Sequence, residues 1–353
     1  MDIAKIDANF IKPRITEEDV LWLNATDNCF SLHGVYFDKD EKIYRRMPND
    51  VAKEVNEGVK QLSKNTAGGR LRFKTNSPYI AIRAEIASAK PSRNLGLTAL
   101  TSFSIYYDNV FHGICTPEHD ELVSAKGDWY WFEGIEKRRN EDAQSIDIYF
   151  PSYNIVKNLY IGVQEGSVIE KADEYSNKKP IVFYGSSITQ GACACHSGND
   201  YVSMLSRALN FDYLNLGFSG SARGEQVMAE YIANLDMHAF VYDYDHNAPN
   251  VEHLKETHLK MYETIRKSNP NLPIIIMSKP AFHYGKTNNI ERRAVIYETY
   301  KIAKERGDNV AFIDGEKMFG EDYELCTVDM THPNDLGFYK MAKAIEPVLK
   351  EKI

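Results

Sequence analysis

From Pro180 to the C-terminus, short apolar runs alternate with amphipathic stretches, and this alternation leaves few architectures open. The apolar runs have the length of buried strands, whereas the stretches between them have the period of surface helices. Such alternation indicates βαβ units, and therefore a parallel sheet covered by helices on both faces. With right-handed crossovers, the expected architecture is a flavodoxin-like three-layer α/β/α sandwich. The predicted strands are 181–184, 212–216, 239–244, 273–278 and 309–313, and the predicted helices are 200–210, 224–236, 251–268, 288–306 and 335–350.

Residues 1–172 carry a different pattern. The segments 71–75 and 79–86 alternate apolar and polar residues on either side of a turn at 76–78, which is typical of antiparallel strands. Repetition of this pattern predicts an all-β, jelly-roll-like sandwich, interrupted by one helix near 50–62. The other predicted strands are 101–107, 111–115, 128–132, 145–150 and 158–163.

The chain length of 353 residues exceeds the size at which a single hydrophobic core stops growing, so two domains are expected. The charged segment from Glu170 to Lys179 lacks a strong apolar period and is the expected linker. We therefore predict an accessory β-sandwich at 1–172 and an α/β domain at 173–353. No apolar run approaches the roughly 18 residues of a membrane helix. The acidic N-terminus MDIAKIDANF does not resemble a secretory signal, so a cytoplasmic protein is expected.

Composition argues against several partners and cofactors. A net charge of −8 disfavours a nucleic-acid partner, because proteins that bind the phosphate backbone usually carry a basic face. The five cysteines are an odd number without a disulfide framework, so free thiols are expected. The segment Cys193-Ala194-Cys195-His196 lacks a second ligand pair at zinc-site spacing, and a loop that lines the pocket is the preferred interpretation. We expect no metal, no cofactor and no membrane partner.

Polar residues follow three of the predicted strands, at the edge of the sheet where open α/β folds bind ligands. Ser186 and Ser187 follow the first strand, the segment 215–220 closes the second, and the segment 243–247 closes the third. A fourth polar segment, 329–332, lies near the C-terminus. A serine at this edge is well sited to act as a nucleophile.

The C-terminal segment offers the groups that such a serine needs. A serine hydroxyl attacks efficiently only when a neighbouring base accepts its proton, and a neutral imidazole such as that of His332 suits this task near pH 7. Asp329, three residues earlier, can reach the Nδ1 side of the ring, fix its tautomer and stabilise the imidazolium that forms during attack. Taken alone, the same segment could instead cap the last helix, because Pro333-Asn334-Asp335 follows it.

In this order, the four segments resemble the sequence blocks of the SGNH, or GDSL-like, hydrolase superfamily of esterases and acyltransferases. The first block, Gly-Asp-Ser-x-Thr-x-Gly, is matched by residues 185–191. The resemblance therefore implies that Ser187, and not Ser186, is the nucleophile. The last block, Asp-x-x-His, is matched by Asp329 and His332, which the resemblance assigns to the same catalytic triad. The match extends over roughly residues 178–350, the expected SGNH hydrolase domain.

The resemblance also implies an oxyanion hole. Its donors would be the backbone N–H of Ser187, the backbone N–H of Gly220 from the second block, and the side-chain amide of Asn247 from the third. Two positions depart from the family pattern: its aspartate before the nucleophile is Ser186 here, and its Gly-x-Asn-Asp reads Asp-His-Asn-Ala over 245–248. From the residues alone, Asn247 could be a turn residue and Gly220 could serve only the backbone conformation.

Other polar residues near these blocks could contact a substrate. His246 lies in the third block, although a loop histidine that packs internally or faces solvent is an equal alternative. Arg223 could orient an acyl or sugar oxygen, or it could pair with Glu225. His253 and His258 are five positions apart on a predicted helix, and we expect both on its solvated side.

The resemblance predicts a serine esterase that hydrolyses short-chain acyl esters through an acyl-enzyme on Ser187. Some carbohydrate esterases and acyltransferases of this superfamily resemble the arrangement of a β-sandwich before the hydrolase domain. An O-acetylated carbohydrate, or another small acylated molecule, is therefore the expected substrate. An acyltransferase with an alcohol acceptor would use the same residues and is one alternative. A non-catalytic carbohydrate-binding protein is another.

Overall fold

The computed structural model describes residues 14–89, 93–125, 127–138, 142–284 and 286–353. Its strands are β1 (Val20–Asn24), β2 (Ser31–His33), β3 (Tyr36–Asp38), β4 (Ile43–Arg45), β5 (Arg70–Thr75), β6 (Tyr79–Ala87), β7 (Phe103–Tyr107), β8 (Val110–Cys115), β9 (Trp129–Lys137), β10 (Gln144–Tyr149), β11 (Val156–Gln164), β12 (Ile169–Glu170), β13 (Ile181–Gly185), β14 (Tyr213–Gly217), β15 (Ala239–Asp243), β16 (Ile274–Met277) and β17 (Val310–Ile313). Its α-helices are α1 (Asn49–Val55), α2 (Glu57–Leu62), α3 (Leu97–Thr101), α4 (His119–Ser124), α5 (Ser187–Gln190), α6 (Tyr201–Leu209), α7 (Gln226–Ala233), α8 (Val251–Ser268), α9 (Lys286–Glu305), α10 (Gly315–Met318) and α11 (Asp335–Lys352).

A parallel sheet of five strands organises the C-terminal half, in the order β14-β13-β15-β16-β17. Strand side chains alternate between the two faces, and both faces are covered. Val182 and Tyr184 of β13 pack in one core with α7, α8 and α9, whereas Ile181 and Phe183 pack in a second core with α6 and α11. The sequence prediction of a parallel sheet between helical layers is confirmed, and the 2-1-3-4-5 strand order is that of doubly wound folds such as flavodoxin.

Capping side chains fix where two of the helices that cover this sheet begin. The Asp200 carboxylate accepts hydrogen bonds from the backbone N–H groups of Val202 and Ser203, both at 3.0 Å, and so starts α6 where the sequence predicts it. Asn250 caps α8 in the same way, and that helix has the predicted bounds. Among the described residues, no helix is long and apolar enough to cross a membrane.

Two antiparallel sheets form most of the N-terminal half. One has the order β1-β11-β6-β9, and the other has the order β12-β5-β10-β7-β8 with β2 paired to β5. Ile82 and Ile161 of the first sheet share a hydrophobic core with Phe73 and Ile148 of the second. The predicted antiparallel pattern is confirmed, while the jelly-roll connectivity and the domain division at 172/173 stay predictions.

The N-terminal helical segment differs from its sequence prediction. The single helix expected near 50–62 is two helices, because Asn56 is extended, at φ −171°, and its side chain caps α2 by accepting a 2.8 Å bond from the Val59 N–H. Met47, Ala52 and Val59 pack in the core that also holds Val182, so this segment lies against the parallel sheet. The strand predicted at 101–107 starts only at Phe103, since Thr101 ends α3.

Candidate active site

The turn after β13 presents Ser187 at the carboxyl edge of the parallel sheet. Ser186 caps the short helix α5, because its Oγ accepts a 3.2 Å hydrogen bond from the Ile188 N–H. Gly185 has no room for a side chain, since an added Cβ would lie 2.1 Å from Thr189 Oγ1. Gly191 ends the helix in the left-handed conformation, at φ 92°. The glycines and serines of this block therefore build a tight strand-to-helix turn around Ser187.

The structure brings Ser187, His332 and Asp329 into one chain of hydrogen bonds. Ser187 Oγ lies 2.9 Å from His332 Nε2. On the other side of the ring, Nδ1 lies 2.8 Å from Asp329 Oδ2 and 3.1 Å from Oδ1. In this geometry Nδ1 carries the proton shared with the carboxylate, and Nε2 is free to accept the serine proton.

Hydrogen bonds within the loop 329–332 hold Asp329 beside His332, and Asp329 does not cap α11. Asp329 Oδ1 accepts hydrogen bonds from the backbone N–H groups of Thr331, at 3.2 Å, and His332, at 2.8 Å. Met330 takes a positive φ of 64°, which turns the chain sharply. The cap of α11 is Asn334, whose side chain accepts a 3.0 Å bond from the Gly337 N–H. The alternative interpretation of Asp329 as a helix cap is therefore wrong.

The Asp329 carboxylate is held in its ionised form. Partial burial opposes ionisation, but the backbone N–H and ring of His332 and the amide of Asn94 outweigh it and lower the pKa of Asp329 to about 2. The negative charge beside Nδ1 is thus present well into the acid range, where it can stabilise an imidazolium.

Asn94 reaches this carboxylate from the N-terminal half of the chain. Its Nδ2 donates a 3.0 Å hydrogen bond to Asp329 Oδ2, the oxygen that also faces the imidazole. Its carbonyl accepts a hydrogen bond from Cys193 Sγ at 3.1 Å, which ties it to the loop after α5. Nothing in the local sequence around Asn94 marks it, because the contact joins segments 235 positions apart.

Replacing Asn94 with alanine is expected to lower kcat about tenfold with little change in KM, because a hydrogen bond to a charged group is lost. Asn94→Asp should be worse at neutral pH, since it places a second carboxylate against Asp329. Steady-state kinetics over pH would measure both. Thr98→Ala is the matched control: Thr98 Oγ1 bonds the Cys195 carbonyl at 2.5 Å from the same segment. Equal losses in the Asn94 and Thr98 alanine variants would show that Asn94 acts only through the fold of its segment.

The second and third blocks adjoin each other next to Ser187. The Asn247 side chain donates a 2.9 Å hydrogen bond from Nδ2 to the Phe218 carbonyl, which uses one of its two N–H donors. Gly220, two residues beyond Phe218, is exposed at φ 66°, in a conformation that favours glycine. The backbone N–H of Ser187 lies at the first position of α5, where it has no partner within the helix.

A buried ion pair fixes the turn that carries Asn247. Arg292 Nε lies 2.6 Å from Asp245 Oδ1, and its Nη2 donates to the carbonyls of Asp245 and, at 2.9 Å, Ala248. The other carboxylate oxygen of Asp245 accepts a 3.1 Å bond from the Lys279 N–H. Arg292 and Asp245 are 5% and 2% exposed, so the pair is shielded from solvent and restricts how far the turn can move.

Two further residues of the N-terminal half support the same edge. The Tyr153 hydroxyl donates a 3.2 Å hydrogen bond to the Ser187 carbonyl. Arg46, 2% exposed, donates from Nη1 to the carbonyls of Asn215, at 2.9 Å, and Gly217, at 2.8 Å, within the second block. No sequence pattern marks either residue, because each acts through a contact with a distant segment.

The other polar residues that the sequence analysis considered, His246, Arg223 and His258, lie in different surroundings. His246 lies on the same turn as Asn247, whereas the Arg223 guanidinium donates to the Gly220 carbonyl at 3.2 Å. Glu225 accepts from the backbone N–H of Arg223 at 3.0 Å. The expectation that His258 faces solvent is wrong: it is 2% exposed, stacks on a core tyrosine, and burial lowers its pKa to about 3.

The loop 193–196 packs against the sandwich. His196 stacks on Phe111 with ring centroids 4.2 Å apart, and the Cys195 N–H donates to Asp335 at 2.9 Å. All five cysteines are free thiols, as predicted. Among the described residues, no group of three or more metal-ligating side chains lies together.

Comparison with known proteins agrees with this architecture. Residues 178–350 match the model of the GDSL-like lipase/acylhydrolase family, and residues 20–169 match the model of the N-terminus of SGNH-hydrolase-type esterases. The chain therefore belongs to the GDSL-like lipase/acylhydrolase family and is an enzyme of the SGNH hydrolase type. No curated protein matches it in a comparison of sequences.

Several solved structures are similar over nearly the whole chain. One from Bacteroides ovatus, assigned as a GDSL-like lipase, is 28% identical with a TM-score of 0.82 and covers 94% of this chain and 97% of its own. A salicylyl-acyltransferase from a tetracycline biosynthetic pathway is 18% identical with a TM-score of 0.76, covering 95% and 98%. A family two carbohydrate esterase from Clostridium thermocellum, solved with cellohexaose, is 14% identical with a TM-score of 0.58, covering 81% and 93%. The last two share the fold.

Proposed function

We propose that the protein is a serine esterase that hydrolyses short-chain acyl esters through an acyl-enzyme on Ser187. Ser187 Oγ attacks the ester carbonyl carbon while His332 Nε2 takes its proton, and the tetrahedral intermediate then expels the alcohol, which receives that proton. Water then attacks the acyl-enzyme while His332 removes a proton from the water. The acid is released, and Ser187 Oγ regains a proton from His332. The continuous hydrogen-bond chain from Ser187 through His332 to Asp329 carries this proposal.

The proposal includes an oxyanion hole made by the backbone N–H groups of Ser187 and Gly220 and the amide of Asn247. Donors of this kind act on the negative charge that develops on the carbonyl oxygen, which is larger in the transition state than in the substrate. The contact of Asn247 with the Phe218 carbonyl supports the assignment, because it orients the amide and uses only one N–H.

Asn247→Ala is expected to reduce kcat by roughly 10²- to 10³-fold with little change in KM, because its donor is needed mainly in the transition state. Asn250→Ala is a suitable control, since Asn250 caps α8 three residues further along. Initial rates with a small aryl acetate would separate kcat from KM. A change in KM alone would instead assign Asn247 to ground-state binding.

For the substrate, we propose the O-acetyl ester of a carbohydrate or a similar hydroxylated molecule. The neighbouring structures with carbohydrate-esterase names support this class at the level of the fold. The test is a series of aryl esters of increasing acyl length, followed by acetylated mono- and oligosaccharides. The acetyl ester should be the fastest, with losses of about 10- to 200-fold per unfavourable step in size. Faster turnover of long-chain esters would overturn the substrate class.

An acyltransferase is the second candidate, favoured by the similarity to the salicylyl-acyltransferase. It would follow the same path to the acyl-enzyme, with an alcohol hydroxyl replacing water in the second half. Product analysis in the presence of a sugar alcohol separates the two, because transfer yields a new ester and hydrolysis yields free acid. The aligned hydrogen-bond chain supports either enzyme over a non-catalytic binding protein.

A further inference from the structure

The turn that follows β14 contains a backbone N–H without a partner among the described residues. The Phe218 N–H donates at 2.9 Å to the carbonyl of Gly185, at the end of the neighbouring strand β13. The N–H groups of Ser221 and Ala222 both donate to the Phe218 carbonyl, at 3.0 Å and 3.2 Å. Between them lies the exposed Gly220, whose N–H donates to no described residue. This N–H is therefore available to a substrate oxygen.

The side chain of Gln190 holds the residue that precedes this glycine. Its Oε1 accepts a 3.0 Å hydrogen bond from the Ser219 N–H. Its Nε2 donates to the Ser152 carbonyl at 3.2 Å and to Asn65 Oδ1 at 3.3 Å. A backbone N–H can only donate and a backbone carbonyl can only accept, so these partners fix which end of the amide faces Ser219. Gln190 is fully buried, which makes the loss of these bonds costly.

The same short helix carries Gln190 and the proposed nucleophile. Helix α5 begins at Ser187 and ends at Gln190, so the two residues occupy the ends of one helical turn. The chain after β14 packs directly on this helix, because a Cβ added at Gly217 would lie 2.7 Å from Gln190 Cα. Contacts of α5 with this chain therefore set the position of Gly220 relative to Ser187.

We propose that Gln190 is a positioning residue that directs the Gly220 N–H toward the oxyanion formed when Ser187 attacks the ester. A backbone donor stabilises that oxyanion only if it points to where the charge develops, and a displacement of about 1 Å can cost roughly 100-fold in rate. Because Asn65 and Ser152 belong to the N-terminal half, that half also contributes to the position of the donor. This inference rests on the esterase and the oxyanion hole proposed above.

Gln190→Met keeps most of the side-chain volume but removes the acceptor for the Ser219 N–H. With a small aryl acetate, it is expected to lower kcat by about 10- to 100-fold with little change in KM, because the donor is displaced and not removed. Gln190→Glu keeps an oxygen that can accept from Ser219 and should recover most of this loss. Gln226→Met is the matched control: Gln226 bonds Glu230 at 2.9 Å on α7, and its loss should leave the native rate.

A tetrahedral inhibitor separates a misdirected donor from a general loss of structure. The carbonyl carbon of an aryl trifluoromethyl ketone bonds to Ser187 Oγ, the Oγ proton passes to His332, and the carbonyl oxygen becomes an oxyanion. In Gln190→Met, the inhibition constant should rise by the same factor as kcat/KM falls, because both depend on the oxyanion donors. The pH at which activity declines in acid, set by His332, should not move. A merely structural defect would instead raise KM or shift this pH.

The outcomes separate this inference from the proposed function. A folded Gln190→Met protein with kcat within about threefold of native would overturn the inference, as would a Gln190→Glu protein as slow as Gln190→Met. If circular dichroism shows that Gln190→Met is unfolded, Gln190→Asn replaces it under the same limits, because its amide is one methylene too short for Ser219. Failure of the native protein to hydrolyse the aryl acetate would overturn the esterase proposal itself.

Discussion

His332→Ala is expected to lower kcat by roughly 10⁴- to 10⁶-fold while the protein stays folded. In the proposed mechanism the ring accepts the proton of Ser187, whose Oγ lies 2.9 Å from Nε2, and an alanine side chain cannot act as a base. Its side chain is 20% exposed, so its loss leaves no large cavity in the core. Single-turnover hydrolysis of an aryl acetate, with circular dichroism to verify folding, would measure the effect.

His112→Ala, which alters a histidine of β8 in the sandwich, serves as the control and should keep native activity. Activity of the native protein should also decline in acid, because a protonated imidazole cannot accept the serine proton. An activity within tenfold of native in His332→Ala would contradict the assignment of the base.

Asp329→Asn is expected to lower kcat by up to roughly 10⁴-fold. The amide can donate to Nδ1, which would leave the proton on Nε2 and prevent that nitrogen from acting as a base. It also removes the negative charge that stabilises the imidazolium. Asp322→Asn is the matched control. Asp322 lies in the segment before the loop 329–332 and pairs with Lys340 at 2.6 Å.

The pH dependence of Asp329 follows from its hydrogen bonds. Folding lowers its pKa from 3.8 to about 2, so its contribution to stability is present above roughly pH 4 and is lost as the pH falls toward 2. Asp329 therefore stays ionised in mildly acidic solution, so its protonation should not contribute to the loss of activity expected there. Pre-steady-state rates in Asp329→Asn close to native would contradict the role of the carboxylate.

Local patterns were sufficient for the parallel sheet and for the spacing of the polar blocks. The all-buried strand β13 and the capped helices α6 and α8 follow from short stretches of sequence, because burial and capping act within a few residues. The meeting of Ser187 with Asp329 and His332 could be expected only from the resemblance of the ordered blocks to the SGNH superfamily, because the segment 329–332 does not follow a strand of the parallel sheet.

Contacts between the two halves could not be predicted in the same way. Asn94, Tyr153 and Arg46 reach the site across 235, 34 and 171 positions, and their neighbours in sequence carry no periodic or capping signal for those contacts. The break of the helix at Asn56 could not be predicted either. An asparagine can lie inside an amphipathic helix, and the sequence does not show that its side chain instead caps a new helix, as it does here. Burial of His258 depends on its stacking on Tyr242 of β15, a contact made only in the folded protein.

The central claim is that Ser187 forms the covalent intermediate, and labelling with a fluorophosphonate tests it most directly. Intact-mass measurement followed by peptide mapping should place a single adduct on Ser187 in the native protein. Ser187→Ala should take no label, whereas Ser186→Ala should still be labelled, although loss of its cap to Ile188 is expected to reduce stability by about 1 kcal/mol. An adduct on another residue, or labelling that survives in Ser187→Ala, would contradict the account.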